Sequence, residues 1–169
     1  MTATPMLVPP DPTPWVIDAL FDHLGTHPEL SYGSGVVLST APMGEVPEQL
    51  MLVRHRAPQK WGALGYYQKD IALAMDLVLI CYQEGAGELT ARRVRARAYQ
   101  LYHAVEAVLR SPKGMAVLDI EGRALVHVAS IGDADCLQNS LGTKRWCSLR
   151  FTIDCDIVTR FDLGTPAVG

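Results

Sequence analysis

What this chain lacks narrows it first. Its 169 residues contain no run approaching the ~18 consecutive apolar positions that a membrane-crossing helix requires. Residues 1–14 are rich in Pro and Thr and show no basic segment followed by an apolar stretch, so they do not read as a signal peptide. No phosphate-cradling glycine loop, no Gly-x-Ser-x-Gly and no His-Glu-x-x-His occurs. Excess charge of one sign is also missing. A formal charge of -3 offers no strong pull on nucleic acid. The expectation is a soluble protein of a cytoplasm, without membrane contact.

Cysteine is scarce, and its placement is informative. Cys81, Cys147 and Cys155 fall on apolar rows of alternating segments, where a thiol behaves as a small hydrophobe. Cys147 and Cys155 on one straight strand would stand about 26 Å apart, too far to bridge. Only Cys136 falls in an expected loop. Reduced, structural thiols are predicted rather than a disulfide or metal framework.

What is present is alternation. Between 147 and 161 the odd positions read Cys147, Leu149, Phe151, Ile153, Cys155, Ile157 and Phe161, with Thr159 the exception. Ser148, Arg150, Thr152, Asp154, Asp156, Val158 and Arg160 occupy the even positions. A period of two places one row on a core and the other on water or a partner. At ~3.3 Å per residue this segment spans roughly 50 Å, well beyond a common strand. A second such segment alternates Ile71, Leu73, Met75, Leu77, Leu79 and Cys81 with Asp70, Ala72, Ala74 and Asp76. Two strands of this length are expected to reach past any core the chain can build and to pack on another subunit.

The remaining elements follow from local signals. Thr13 as N-cap and Pro14 at the first turn predict a helix carrying Val16, Ile17, Leu20, Phe21 and Leu24, stopped by Gly25. Short strands are expected at 35–40 and 49–56. Residues 57–69 show no period but hold Trp61, Tyr66 and Tyr67, which suits either a flap folded over the core or a contact arm for a neighbour. Glu84-Gly85-Ala86-Gly87 breaks the chain before a helix over 90–110, whose stripe is Val94, Ala98, Leu101, Tyr102, Val105, Val108 and Leu109. Arg92, Arg93, Arg95 and Arg97 crowd its first turns against the helix dipole. They suit an anion or nucleic-acid patch, a solvated face, or pairing with a neighbour's carboxylates, among which Asp70, Asp76, Asp154 and Asp156 are available. A hairpin around Glu121-Gly122, a loop over 132–144 and the final long strand complete the chain. The fold class is α+β, a mostly antiparallel sheet with long strands flanked by two helices. Residues 1–13 read as an extended N-terminal segment, 14–161 as a single domain and 162–169 as a loose C-terminal tail.

Candidate chemistry is sparse. His23 and His27 are four apart without a third ligand, and Gly25 separates them, so no metal site is assigned. Gly33-Ser34-Gly35 is too short for a dinucleotide fingerprint. Asp133, Asp135 and Cys136 set two carboxylates beside a thiol, the only residues on which a ligand-binding or enzymatic α+β domain could rest. Neither catalytic residues nor cofactors are predicted.

The order of elements, with the segment Ala91-Arg92-Arg93-Val94-Arg95-Ala96-Arg97-Ala98-Tyr99 and the closing strand Cys147-Ser148-Leu149-Arg150-Phe151-Thr152-Ile153-Asp154-Cys155, resembles the tail terminator (tail completion) proteins of long-tailed bacteriophages and gene transfer agents. The resemblance covers residues from about 14 to 161. It implies a non-enzymatic virion protein, assembled in the host cytoplasm into a homo-oligomeric ring, a hexamer, that caps the tail tube and docks the head–tail connector. DNA would only pass through the lumen. Another head–tail joining, neck or minor tail role is the nearest alternative. On this view Trp61, Tyr66, Tyr67, Arg92, Arg93, Arg95, Arg97, Asp154 and Asp156 are the candidate subunit contacts.

Overall fold

The computed structural model describes residues 12–61, 68–111, 118–120 and 124–160. The first helix, α1, spans Thr13–Leu24 and buries the expected stripe of Val16, Ile17, Leu20, Phe21 and Leu24. Its cap falls on Pro12, so Thr13 is a helical residue with a buried side chain instead of the cap. Pro14 fits because the first-turn N–H groups have no intrahelical acceptor to lose. Gly25 follows the helix with φ -64°, its N–H on the Phe21 carbonyl, so the helix ends without a left-handed turn.

Strands β1 (Val37–Ser39), β2 (Glu48–Arg56), β3 (Gln59–Trp61) and β4 (Gln68–Glu84) come next, followed by helix α2 (Glu88–Arg110). Gly85 and Gly87 make the break between β4 and α2 at φ +139° and +109°, and a Cβ on Gly85 would meet Thr90 Oγ1 at 2.8 Å. Strands β5 (Leu118–Ile120), β6 (Ala124–Ile131), β7 (Asp135–Leu141) and β8 (Lys144–Arg160) complete the order.

One eight-stranded sheet forms among the described residues, with the path β1-β2-β4-β8-β6-β5. Its spine is the antiparallel pair β4–β8, in register from Gln68 opposite Arg160 to Glu84 opposite Lys144. β2 and β3 share the far edge of β4, and β7 and β6 share the far edge of β8. Only β1, alongside β2, is parallel. The sheet is therefore mostly antiparallel, with long strands and two helices, as the sequence indicates.

The odd rows of the spine form the core. Ile71 through Cys81 on β4 and Cys147 through Ile157 on β8 are buried at alternate positions and join one cluster with the α1 and α2 stripes. The Phe151 ring meets the Tyr102 ring of α2 edge-on at 5.1 Å. Here one expectation is corrected. Over most of their length the long strands do not outrun the core, because they lie side by side with their odd rows buried from Ile71 to Cys81 and from Cys147 to Ile157.

Two connections also differ from expectation. The 57–69 segment is not an aperiodic loop throughout: Gln59–Trp61 pairs with Lys69–Ile71, and the Ala72 N–H reaches the Pro58 carbonyl. Three residues are too few to display a period. Tyr66 and Tyr67 lie outside the described residues, as do the N-terminal segment 1–11 and the C-terminal tail from 161. The 132–144 segment holds the seven-residue strand β7, which forms a hairpin with β8. Its Asp, Asn and Ser residues signal turn, yet an edge strand exposed along most of its length has no need of an apolar row.

Candidate assembly surfaces

Both helices pack on one face of the sheet, so the even rows of β4 and β8 meet no helix among the described residues. Register sets the chemistry of that bare face. Toward the Glu84 end, Gln49, Ile80, Ser148 and Leu137 lie abreast, followed by Tyr82, Trp146 and Asn139. Val53 enters at the irregularity between Leu52 and Arg54. Val53, Leu137 and Leu141 are 52%, 57% and 67% exposed. Ile80, Trp146, Leu137 and Leu141 line a recess of about 270 Å³. Leu137 and Leu141 are thus exposed apolar side chains on this face, beside the half-buried Ile80 and Trp146, while Trp15, Tyr32, Met43 and Leu89 are exposed outside the strands that form it.

Aromatic stacking shapes this region. Tyr82 and Trp146 rings lie 4.6 Å apart, and the Lys144 ammonium sits 5.1 Å over the Tyr82 ring while pairing with Glu45 at 3.3 Å. Trp146 Nε1 and Gln49 Oε1 are buried without a hydrogen-bond partner among the described residues. Each such atom carries a desolvation cost.

The opposite end of the same face is polar. Asp76 accepts from Arg54 and from Thr152, Asp154 accepts from Ser130, and Asp156 stands exposed opposite Ala72 and His127. The Arg54 guanidinium holds the Asp76 carboxyl below its ordinary value. Asp154 and Asp156 thus sit where the alternation places them, on the side away from the core.

The arginines of α2 divide into two kinds. Arg97 is half-buried and clamped within its own chain, reaching Glu29 at 2.7 Å and Glu48 at 3.0 Å. Those hydrogen bonds raise the Arg97 pKa further and lower that of Glu29. Arg92 pairs with Glu88 one turn away at 2.9 Å. Arg93 and Arg95 point outward with no carboxylate partner among the described residues. The acceptors of Arg97, Glu29 and Glu48, were missed in the sequence because they come from a loop and from the start of β2, 68 and 49 residues away along the chain. Trp61 ends β3, at the opposite end of the β4 ladder from Trp146.

The residues singled out for chemistry do not converge. Asp135 and Cys136 are neighbours on β7, so their side chains take opposite faces. Asp135 is exposed opposite Arg150, whereas Cys136 turns to the core with its Sγ 3.6 Å from Cys147 Sγ and does not lie in a loop. All four cysteines are free thiols. Burial pushes Cys81, Cys147 and Cys155 up to about 12. His27 Nδ1 accepts the Glu29 N–H, and His23 Nε2 is buried without a partner among the described residues.

No protein-family model and no curated protein matches the chain. A solved structure described as the virion of a native gene transfer agent particle is similar at 16% identity and a TM-score of 0.36, covering 83% of this chain and 84% of that chain. A likeness at that score assigns no function.

Proposed function

We propose that this chain is a structural component of a phage-like virion, a tail terminator whose copies close into a ring, a hexamer, on the end of the tail tube. The ring meets the head–tail connector on its other side, and DNA only passes through it. The observation that carries this reading is the two-layer build: one sheet face sealed by both helices, the other bare and bearing Val53, Leu137, Leu141, Ile80 and Trp146. A chain with a complete core on one side and an apolar surface on the other has its fold settled and a contact left to make. The identity of that contact is proposed from the resemblance of the element order to that of tail terminators. Outward Arg93 and Arg95 on the helix layer, and Asp154 and Asp156 on the sheet layer, give the two unlike surfaces that a rotationally closed ring needs.

The test is mass and shape. Purified full-length chain at high concentration, measured by light scattering and negative-stain imaging, should give rings of uniform diameter, alone or when tail tube protein is added. Monomer at every concentration, with and without tube protein, would remove the ring reading.

A further inference from the structure

We propose that the outer edge of β7 is a self-pairing edge, onto which a second copy of this chain adds its own β7 antiparallel, about a two-fold axis passing through Asn139. The starting observation is an edge strand with little protection. Among the described residues β7 pairs only with β8, and from Cys136 to Leu141 it carries no charged residue and no proline, the usual means of keeping an edge from pairing.

Register then decides the partner. Leu141 and Lys144 face each other across the two-residue turn Gly142-Thr143, which makes them a mutually hydrogen-bonded pair. Alternation along the ladder commits the backbone groups of Leu137, Asn139 and Leu141 to β8 and turns those of Cys136, Gln138 and Ser140 outward. An independent detail agrees: the Ser140 N–H is taken at 2.7 Å by the Asn139 side-chain oxygen, a local acceptor standing in for a missing strand.

A two-fold axis at Asn139 sets Gln138 against the partner's Ser140, both with outward groups, so the pair can exchange two backbone hydrogen bonds. It also sets Leu137 against the partner's Leu141, and Leu141 against the partner's Leu137. These are non-hydrogen-bonded positions, where Cα atoms approach to about 4.5 Å and side chains pack closest. Leu137, Asn139 and Leu141 share the bare face, so the four leucines would form one strip continuous with Trp146 and Ile80. The uncharged edge meets its own copy without repulsion. A single seven-residue edge falls short of the ~800 Å² per partner of a standard interface, so the expected dimer is reversible and concentration-dependent. This contact is isologous, unlike the head-to-tail contacts of a ring, and goes beyond the ring reading.

The experiment places a cysteine on the axis. Asn139→Cys in the full-length chain, exposed to oxidised glutathione, should yield a covalent dimer on non-reducing gels several-fold faster than Ser140→Cys, whose side chain lies opposite Gln138 of the partner, and than the unmodified chain. Sedimentation equilibrium of the unmodified chain should show mass rising with concentration, and Leu137→Lys/Leu141→Lys should reduce that rise with an unchanged far-UV spectrum. Equal cross-linking of Asn139→Cys and Ser140→Cys, or a rise in mass untouched by the lysine pair, would overturn the edge assignment. Rings without this cross-link would reject the edge alone, and the cross-link without rings would reject the ring alone.

Discussion

Replacing Phe151 tests the arrangement on which every later inference depends. Phe151 is 4% exposed in the centre of β8 and meets the Tyr102 ring of α2 edge-on, with 5.1 Å between centroids and 77° between planes. Phe151→Ala loses the transfer free energy of the ring and leaves a cavity that the spine strands cannot close, at a cost of about 3–5 kcal/mol. The aromatic pair contributes about 0.5–1.5 kcal/mol of that. Phe151→Leu keeps most of the volume and should cost about 1–1.5 kcal/mol. Tyr102→Phe keeps the ring and removes the hydroxyl bond to the Gly132 carbonyl at 2.8 Å, worth about 0.5–1.5 kcal/mol. Urea unfolding measures all three, and a two-state domain should show shifted midpoints with similar slopes. The double variant Phe151→Leu/Tyr102→Leu should show a non-additive term of the aromatic-pair size. A Phe151→Ala cost below about 1 kcal/mol, in the range of surface changes, would place the odd row of β8 outside the core and refute the two-layer reasoning.

Three further outcomes are expected. Arg54 and Arg97 hold the Asp76 and Glu29 carboxyls below their ordinary values of 3.8 and 4.5. Depressed carboxyls contribute stability that is full above the unfolded pKa and lost as pH falls through the lower folded one. Urea midpoints should therefore fall below about pH 4.5, and Arg54→Met/Arg97→Met should flatten that fall; parallel curves would show the pairs to be inert. Native protein should expose Cys136 to a thiol reagent ahead of the buried Cys81, Cys147 and Cys155, and unfolding without reductant should release all 4 thiols, a smaller total contradicting the free-thiol assignment. Tyr66→Ser/Tyr67→Ser should leave the far-UV spectrum unchanged and weaken assembly by sedimentation, and unaltered assembly removes both from the contact set.

How much can be read from the residues alone depends on how strictly burial imposes a period. Along β4 and β8 one row must avoid water at every second position, so alternation by itself assigns Leu73, Leu77, Leu149 and Ile153 to the core, where all four are buried. The α2 stripe is legible for the same reason. The β7 strand is not, because an edge strand exposed on most of its length is constrained by neither face, and Asn139 and Ser140 carry turn signals of their own. β3 is lost to brevity. At the candidate surfaces, the outward side of Asp154 and Asp156 follows from alternation, but the internal clamp of Arg97 does not. Its two acceptors, Glu29 and Glu48, are brought in by tertiary packing.

That clamp changes how the arginine-rich turn of α2 should be understood. Had all four cations faced outward, the helix would present a dense positive patch suited to phosphate. Arg97 is spent on holding α2 to β2 and to the loop bearing Glu29, and Arg92 is neutralised by Glu88, which leaves Arg93 and Arg95. Two exposed cations on a chain of net charge -3 make a weak nucleic-acid surface. They are nonetheless enough to orient a protein contact, since rim charges govern encounter and register more than affinity. Opposite them in the layer order, Asp154 and Asp156 stand on the bare sheet face. The contrast is local rather than general, since Arg54 and Arg150 are exposed on the sheet face as well, and the edge of β7 from Cys136 to Leu141 carries no charge at all. The two proposed contacts share Leu137 and Leu141 and would compete for them, whereas Arg93, Arg95, Asp154 and Asp156 belong to the unlike-face contact alone.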